Sequence, residues 1–131
     1  MSATKIVRFT AATGEYAIVA ERVLQIRSAS DIVAMPSPSP QVVGLISFDA
    51  RALSVVSAFG AGGDHVLIVD TDSGPFGILA EQVTAVVDID PGSIGGRPGG
   101  QAGGFVSGVI TQAGKMTMLV DPEAVARLLA S

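Results

Sequence analysis

Tyr16-Ala-Ile-Val-Ala-Glu-Arg-Val23 returns 60 residues later as Phe76-Gly-Ile-Leu-Ala-Glu-Gln-Val83, with Ile18/Ile78, Ala20/Ala80, Glu21/Glu81 and Val23/Val83 identical. The same offset places Ile6-Val-Arg-Phe9 on Val66-Leu-Ile-Val69, and an offset of 64 places Val43-Gly44-Leu45-Ile46 on Ser107-Gly108-Val109-Ile110. Three segments in the same order mark an internal repeat. Repeated units bury against each other the faces that one copy would leave exposed, so the two halves are expected to share a core.

Working outward, ten short runs rich in apolar and β-branched residues read as strands: Ile6–Phe9, Tyr16–Val19, Val23–Ile26, Val42–Ile46, Leu53–Val56, Val66–Val69, Phe76–Leu79, Val83–Val87, Phe105–Ile110 and Met116–Val120. Turn formers such as Thr13-Gly14, Asp72-Ser73-Gly74 and Ala113-Gly114 separate them, a spacing that predicts barrels or a sandwich rather than parallel βαβ units. The fold class is all-β, with five strands in each half. A single domain over 1–131 is expected, its first unit spanning about 5–59 and its second about 64–120, divided near Phe59-Gly60-Ala61-Gly62-Gly63. A terminal helix over 121–130 closes the chain. Asp121 can cap it, Pro122 suits its first position, Glu123 favours its positive end, and Val125, Leu128 and Leu129 share one face.

Composition excludes several classes of function. There is no Cys among the 131 residues, which removes disulfides, thiol nucleophiles and cysteine metal sites. Eight basic against twelve acidic residues leave no surface suited to nucleic acid. The chain is 48% hydrophobic, yet its longest charge-free stretches, Ile32–Phe48 and Pro98–Gly114, are broken by Pro and Gly, so no membrane insertion is expected. The opening segment, with Lys5 and Arg8 inside its apolar run, does not read as a signal peptide, and a cytoplasmic location is the expectation.

Catalytic and metal-binding patterns are thin. His65 is the sole histidine and reads as an edge or turn residue. Asp70-Thr-Asp72-Ser-Gly74 with Glu81 imitates the spacing of a calcium loop, but Pro75 stands where that loop needs Gly, and a hairpin turn is the better reading. Asp88 and Asp90 alternate with Val87 and Ile89 and should face water. Pro91–Gly104, dense in Gly and Pro, reads as a mobile loop that lacks the spacing of a phosphate cradle. Pro36-Ser37-Pro38-Ser39-Pro40 reads as an extended crossover, since Pro cannot donate to a sheet. No cofactor and no metal are expected, and the chain is not expected to be an enzyme.

The ordered set of motifs resembles the CheW-like domain family, the coupling adaptors of bacterial chemotaxis. Gly14-Glu15-Tyr16-Ala17-Ile18 with Val23-Leu24-Gln25-Ile26 is similar to the family's opening strands. Met35-Pro36 through Pro40 followed by Val43-Gly44-Leu45-Ile46 is similar to its proline-bearing crossover and Gly-Val-Ile strand. Phe76-Gly77-Ile78-Leu79, Gly108-Val109-Ile110 and Leu119-Val120-Asp121 complete the series. The resemblance implies two intertwined five-stranded, SH3-like β-barrels, and a non-catalytic role in which one surface docks on the regulatory domain of a CheA-like histidine kinase and another on the cytoplasmic tip of a chemoreceptor.

Where the family usually continues Asn-Leu-Arg-Gly, this chain reads Ser47-Phe48-Asp49-Ala50. An acid replaces the arginine, which would turn a charged hydrogen bond to a carboxylate into repulsion. If the strand continues, Arg51 lies on the same face as Asp49 and partly substitutes. The resemblance implies Val23, Gln25, Phe48, Asp49, Ala50 and Arg51 as partner-binding positions, although Val23 suits a buried strand face and Asp49 suits a turn in any case. Two other readings stay open: a β-barrel that binds a small molecule or ion beneath the Gly-rich loop, and a structural domain that self-associates through its sheet edges.

Overall fold

The computed structural model describes residues 3–35, 40–60, 62–96, 104–112 and 114–130. All ten expected strands are present, each lengthened by one to four residues: β1 (Thr4–Ala11), β2 (Gly14–Val19), β3 (Val23–Ser28), β4 (Val42–Phe48), β5 (Arg51–Val56), β6 (His65–Val69), β7 (Phe76–Ala80), β8 (Gln82–Ile89), β10 (Val106–Gln112) and β11 (Lys115–Val120). An additional short strand, β9 (Ile94–Gly95), falls inside the segment read from sequence as a loop. Ile94 draws that backbone into order by packing on a core of Ile6, Ala17, Ile89, Ile110 and Leu119, and Gly95 pairs with Val109. The rest of the Gly-rich stretch, 97–103, and Pro36–Ser39 lie outside the described residues.

The halves do not fold side by side. The first sheet has the order β8-β1-β2-β11-β10-β9 and the second β3-β6-β7-β5-β4, so each draws strands from both sides of Gly60. The contiguous partition into 5–59 and 64–120 is thereby corrected: β1 and β2 leave their own half for the other, and β6 and β7 do the same in return. The joints are parallel pairings of β2 with β11, through Ala17 and Leu119, and of β7 with β5, through Gly77 and Val55. Only pairing remote in sequence makes such joints, which is why the apolar runs alone did not reveal them.

The repeat persists in the irregularities. In the β4–β5 pair the register slips between Val42 and Gly44, and in the β10–β11 pair between Val106 and Gly108. It slips again between Val23 and Gln25 on β3 and opposite Arg8 and Phe9, between Val83 and Ala85, on β8. Bulges bend strands and sharpen twist. A 3-10 turn over Ala29–Asp31 carries the chain from one edge of the second sheet to Val33, which pairs with Leu45 at the other edge, and a turn over Pro91–Ser93 carries β8 to β9 likewise. Each sheet therefore rolls until its two edges are a few residues apart.

Three apolar clusters result. One fills the second roll with Ile46, Leu53, Val55, Val66, Ile68 and Leu79, and one fills the first roll around Ile6, Ile89 and Ile110. The third lies between the rolls, where Val7, Phe9 and Ile18 meet Val56, Leu67, Phe76 and Ile78. The Tyr16 and Phe59 rings meet there at a tilt of 37° with centroids 4.4 Å apart. The Tyr16 hydroxyl donates to Thr13 Oγ1 at 2.6 Å, and that hydroxyl donates in turn to the Phe59 carbonyl at 2.9 Å, so the ring's polar end is satisfied.

Helix α1 (Pro122–Ala130) covers this central cluster and starts as the sequence predicts, with Asp121 Oδ1 accepting from the Glu123 N–H at 3.0 Å. Its buried face is Ala124, Val125 and Ala126, whereas Leu129 is exposed because it lies one turn beyond the cluster. Glu123 pins the helix by accepting from Arg22 Nη1 at 3.1 Å and from the Asp72 N–H at 3.0 Å. The Asp70–Gly74 segment forms a turn: Thr71 Oγ1 donates to the Gly74 carbonyl and accepts from the Ser73 N–H. Asp88 and Asp90 are exposed as expected. His65 opens β6 with its Nδ1 3.0 Å from the Glu81 carbonyl oxygen.

Candidate partner-docking site

Phe48 and Arg51 pair across the end of the β4–β5 hairpin, leaving Asp49 and Ala50 as a two-residue loop. Both loop residues have positive φ, 52° and 62°, as a type I′ turn requires, and its twist matches that of the flanking strands. Asp tolerates this region, but Ala gains nothing from it and carries a cost of about 1–2 kcal/mol. The turn also corrects the expectation for Arg51. The strand ends at Phe48, so Asp49 and Arg51 do not share a strand face. Asp49 and Arg51 are both exposed, and neither side chain makes a hydrogen bond or ion pair among the described residues.

Below this turn lies a shallow groove of about 440 Å³ lined by Val33, Leu45, Ile46, Ser47, Ala50, Arg51 and Ala52. Gly44 makes its wall possible. A Cβ at that position would lie 2.5 Å from the Val33 carbonyl oxygen, so only glycine lets the Val33 segment cross β4 and exchange hydrogen bonds of 2.7 and 2.9 Å with Leu45. Val33, which lines the groove, is left 65% exposed, and Met35, two residues on, is 49% exposed.

Arg27 joins the other candidate strand to this hairpin. Its Nη1 donates to the Ser47 carbonyl at 2.7 Å and more weakly to Gln25 Oε1 at 3.4 Å, while Nε and Nη2 each lie 3.0 Å from Asp31 Oδ2. Through Arg27, Gln25 on β3 is linked to the Ser47 backbone beside Phe48 at the foot of the hairpin. Leu24 and Ile26, beside Gln25, are exposed apolar residues of the same edge strand. Val23 is different: it is half-buried and packs on the central cluster. Sequence reasoning passed over Arg27, Val33 and Met35. The spacing of Arg27 and Asp31 was a visible signal, whereas the exposure of Val33 depends on a crossing that only the folded chain contains.

The arrangement combines uncovered aliphatic groups, an unpaired acid and an unpaired base at a fixed hairpin, and a free strand edge, the elements by which sheets add strands or accept helices. Among the described residues no cluster of three or more His, Asp or Glu could hold a metal ion, and no helix is long and apolar enough to cross a membrane.

Comparison with known proteins agrees with this architecture. A search of curated protein sequences finds no significant match. Among solved structures, the scaffolding protein TtCheW from Thermoanaerobacter tengcongensis superposes with a TM-score of 0.81 at 22% identity, over 91% of this chain and 89% of that one. The rolled sheets of the two proteins therefore share a fold. The sequence description of the CheW-like domain matches residues 5–130, nearly the whole chain, and with the duplicated, strand-exchanged sheets this establishes that the protein belongs to the CheW-like domain family.

Proposed function

We propose that this chain is a cytoplasmic, non-catalytic adaptor of chemotaxis-type signal transduction. In this reading it couples the regulatory domain of a CheA-like histidine kinase to a chemoreceptor or to another partner through surfaces of its rolled sheets. The observation that carries the proposal is the family membership over residues 5–130, joined to a groove lined by the exposed Val33. Gln25, Phe48, Asp49, Ala50 and Arg51 form the partner-facing end, and Val23 holds β3 in place from beneath. The whole chain acts as a single domain, since the cluster between the rolls belongs to both halves.

Asp49 gives the contact its selectivity. An acid at the tip of a fixed hairpin repels a carboxylate-bearing helix and attracts a basic one, while Arg51 at the foot of the same hairpin does the reverse. Co-purification with candidate kinase regulatory domains and receptor tips, using wild type and Asp49→Arg in parallel, tests the reading. Stoichiometric capture of a kinase domain by wild type is the expected result. Capture of a receptor tip only by Asp49→Arg would show that the acid has removed that contact. Failure of both chains with every candidate would overturn the adaptor role.

A further inference from the structure

The 60-residue repeat places Arg8 on Ile68, which is fully buried in the second roll. Arg8 holds the corresponding place in the first roll, with Ala17 and Ala85 as its cross-strand neighbours, small residues that leave room for a long side chain. Its Nη2 donates to Gln112 Oε1 at 2.6 Å, its Nε is buried without an acceptor, and among the described residues Nη1 makes no hydrogen bond. Gln112 in turn occupies the place of Phe48, at the foot of the β10–β11 hairpin beside Lys115. A cation thus stands where the other copy has an aliphatic group, at the hairpin end of the roll, and among the described residues only one neutral side chain answers it.

Among the described residues no carboxylate pairs with Arg8. All twelve Asp and Glu residues lie within the described residues, and the only ion pairs there are Arg22–Glu123 and Arg27–Asp31. Holding a guanidinium partly out of water without a counter-charge is unfavourable, and the planar fork of donors matches a carboxylate. We propose that Arg8 is a docking point for a carboxylate of a partner protein, an acidic side chain that enters the mouth of the first roll beside Gln112. The proposal does not depend on the adaptor reading, because it concerns the opposite roll and would hold for any acidic partner.

The test follows the Arg8 Nε–Hε resonance by NMR while a capped triglutamate peptide, and separately inorganic phosphate, is added to the full chain. A saturable shift with the peptide, lost in Arg8→Met, is expected. Gln112→Glu supplies the carboxylate internally and should weaken the peptide response at least tenfold while raising the thermal midpoint, which keeps the test decisive should Arg8→Met fold poorly. Absence of a saturable shift, or an undiminished response in Gln112→Glu, overturns the proposal. A response to phosphate alone overturns the assignment to a protein carboxylate.

Discussion

The two rolls share one backbone plan and differ in what fills them. Ile68, Phe48 and Leu53 of the second roll correspond to Arg8, Gln112 and Thr117 of the first, so three apolar side chains near one mouth face three polar ones near the other. The bulges, the edge-joining 3-10 turns and the parallel joints are common to both. The difference teaches that the backbone pattern is set by strand pairing and by small residues at crossings. The composition of each mouth is free to diverge once the shared cluster between the rolls secures the fold.

Transferring the polar group should therefore fail. Ile68→Arg places a charge in a fully buried aliphatic site with no acceptor, and we expect a loss of about 4 kcal/mol or more, read by urea denaturation as an unfolded or barely folded chain. A native-like midpoint would mean that the second roll opens as readily as the first.

The next largest effect concerns the two crossings. Gly44→Ala brings a Cβ within 2.5 Å of the Val33 carbonyl, and Gly108→Ala within 2.7 Å of the Gly95 carbonyl. Each should cost about 2–3 kcal/mol. Equal losses in chemical denaturation would confirm equivalent crossings, and a much smaller loss at Gly108 would show that β9 yields more easily than the Val33 segment.

Hairpin tips provide a pair of opposite sign. Gly114 has φ 78° and corresponds to Ala50 with φ 62°. Ala50→Gly should raise stability by about 1 kcal/mol and Gly114→Ala should lower it by a similar amount. Thermal unfolding of the two variants and of the double exchange measures this. A loss of stability in Ala50→Gly would mean that the turn draws more from the Ala50 side chain than glycine's freedom at positive φ returns.

The smallest expected effect is Arg8→Ile, which makes the first roll resemble the second. Exchanging a partly buried cation for an aliphatic group should leave stability unchanged or raise it by up to about 1 kcal/mol. A loss greater than that, measured by the same denaturation, would show that Arg8 sustains the fold.

Much of this architecture is legible in the chain. Short apolar runs between Gly-bearing turns give ten strands, and the recurrence of Ala20-Glu21 as Ala80-Glu81 gives the duplication. The repeat shows that there are two copies but not which copy each strand pairs with, because that choice is made by contacts such as Val55 with Gly77. Of the positions that the resemblance implied, Asp49 and Ala50 form a hairpin reversal that was hidden, since Asp-Ala is not a dipeptide that announces two positive φ angles. Arg8 lies in an apolar run where a basic residue reads as facing water, and only its alignment with Ile68 points inward.

The traded strand pairs bear on how such a protein can change over generations. A chain cut near Gly60 yields two pieces, each lacking the neighbours of its leading two strands, so neither can be inherited, shed or grafted as a working module. Mixed together, the pieces hold every complementary surface needed to rebuild the whole. Point replacements at the hairpin ends, such as Arg8 where the other copy has Ile68, leave both copies and their exchanged strands intact on one chain.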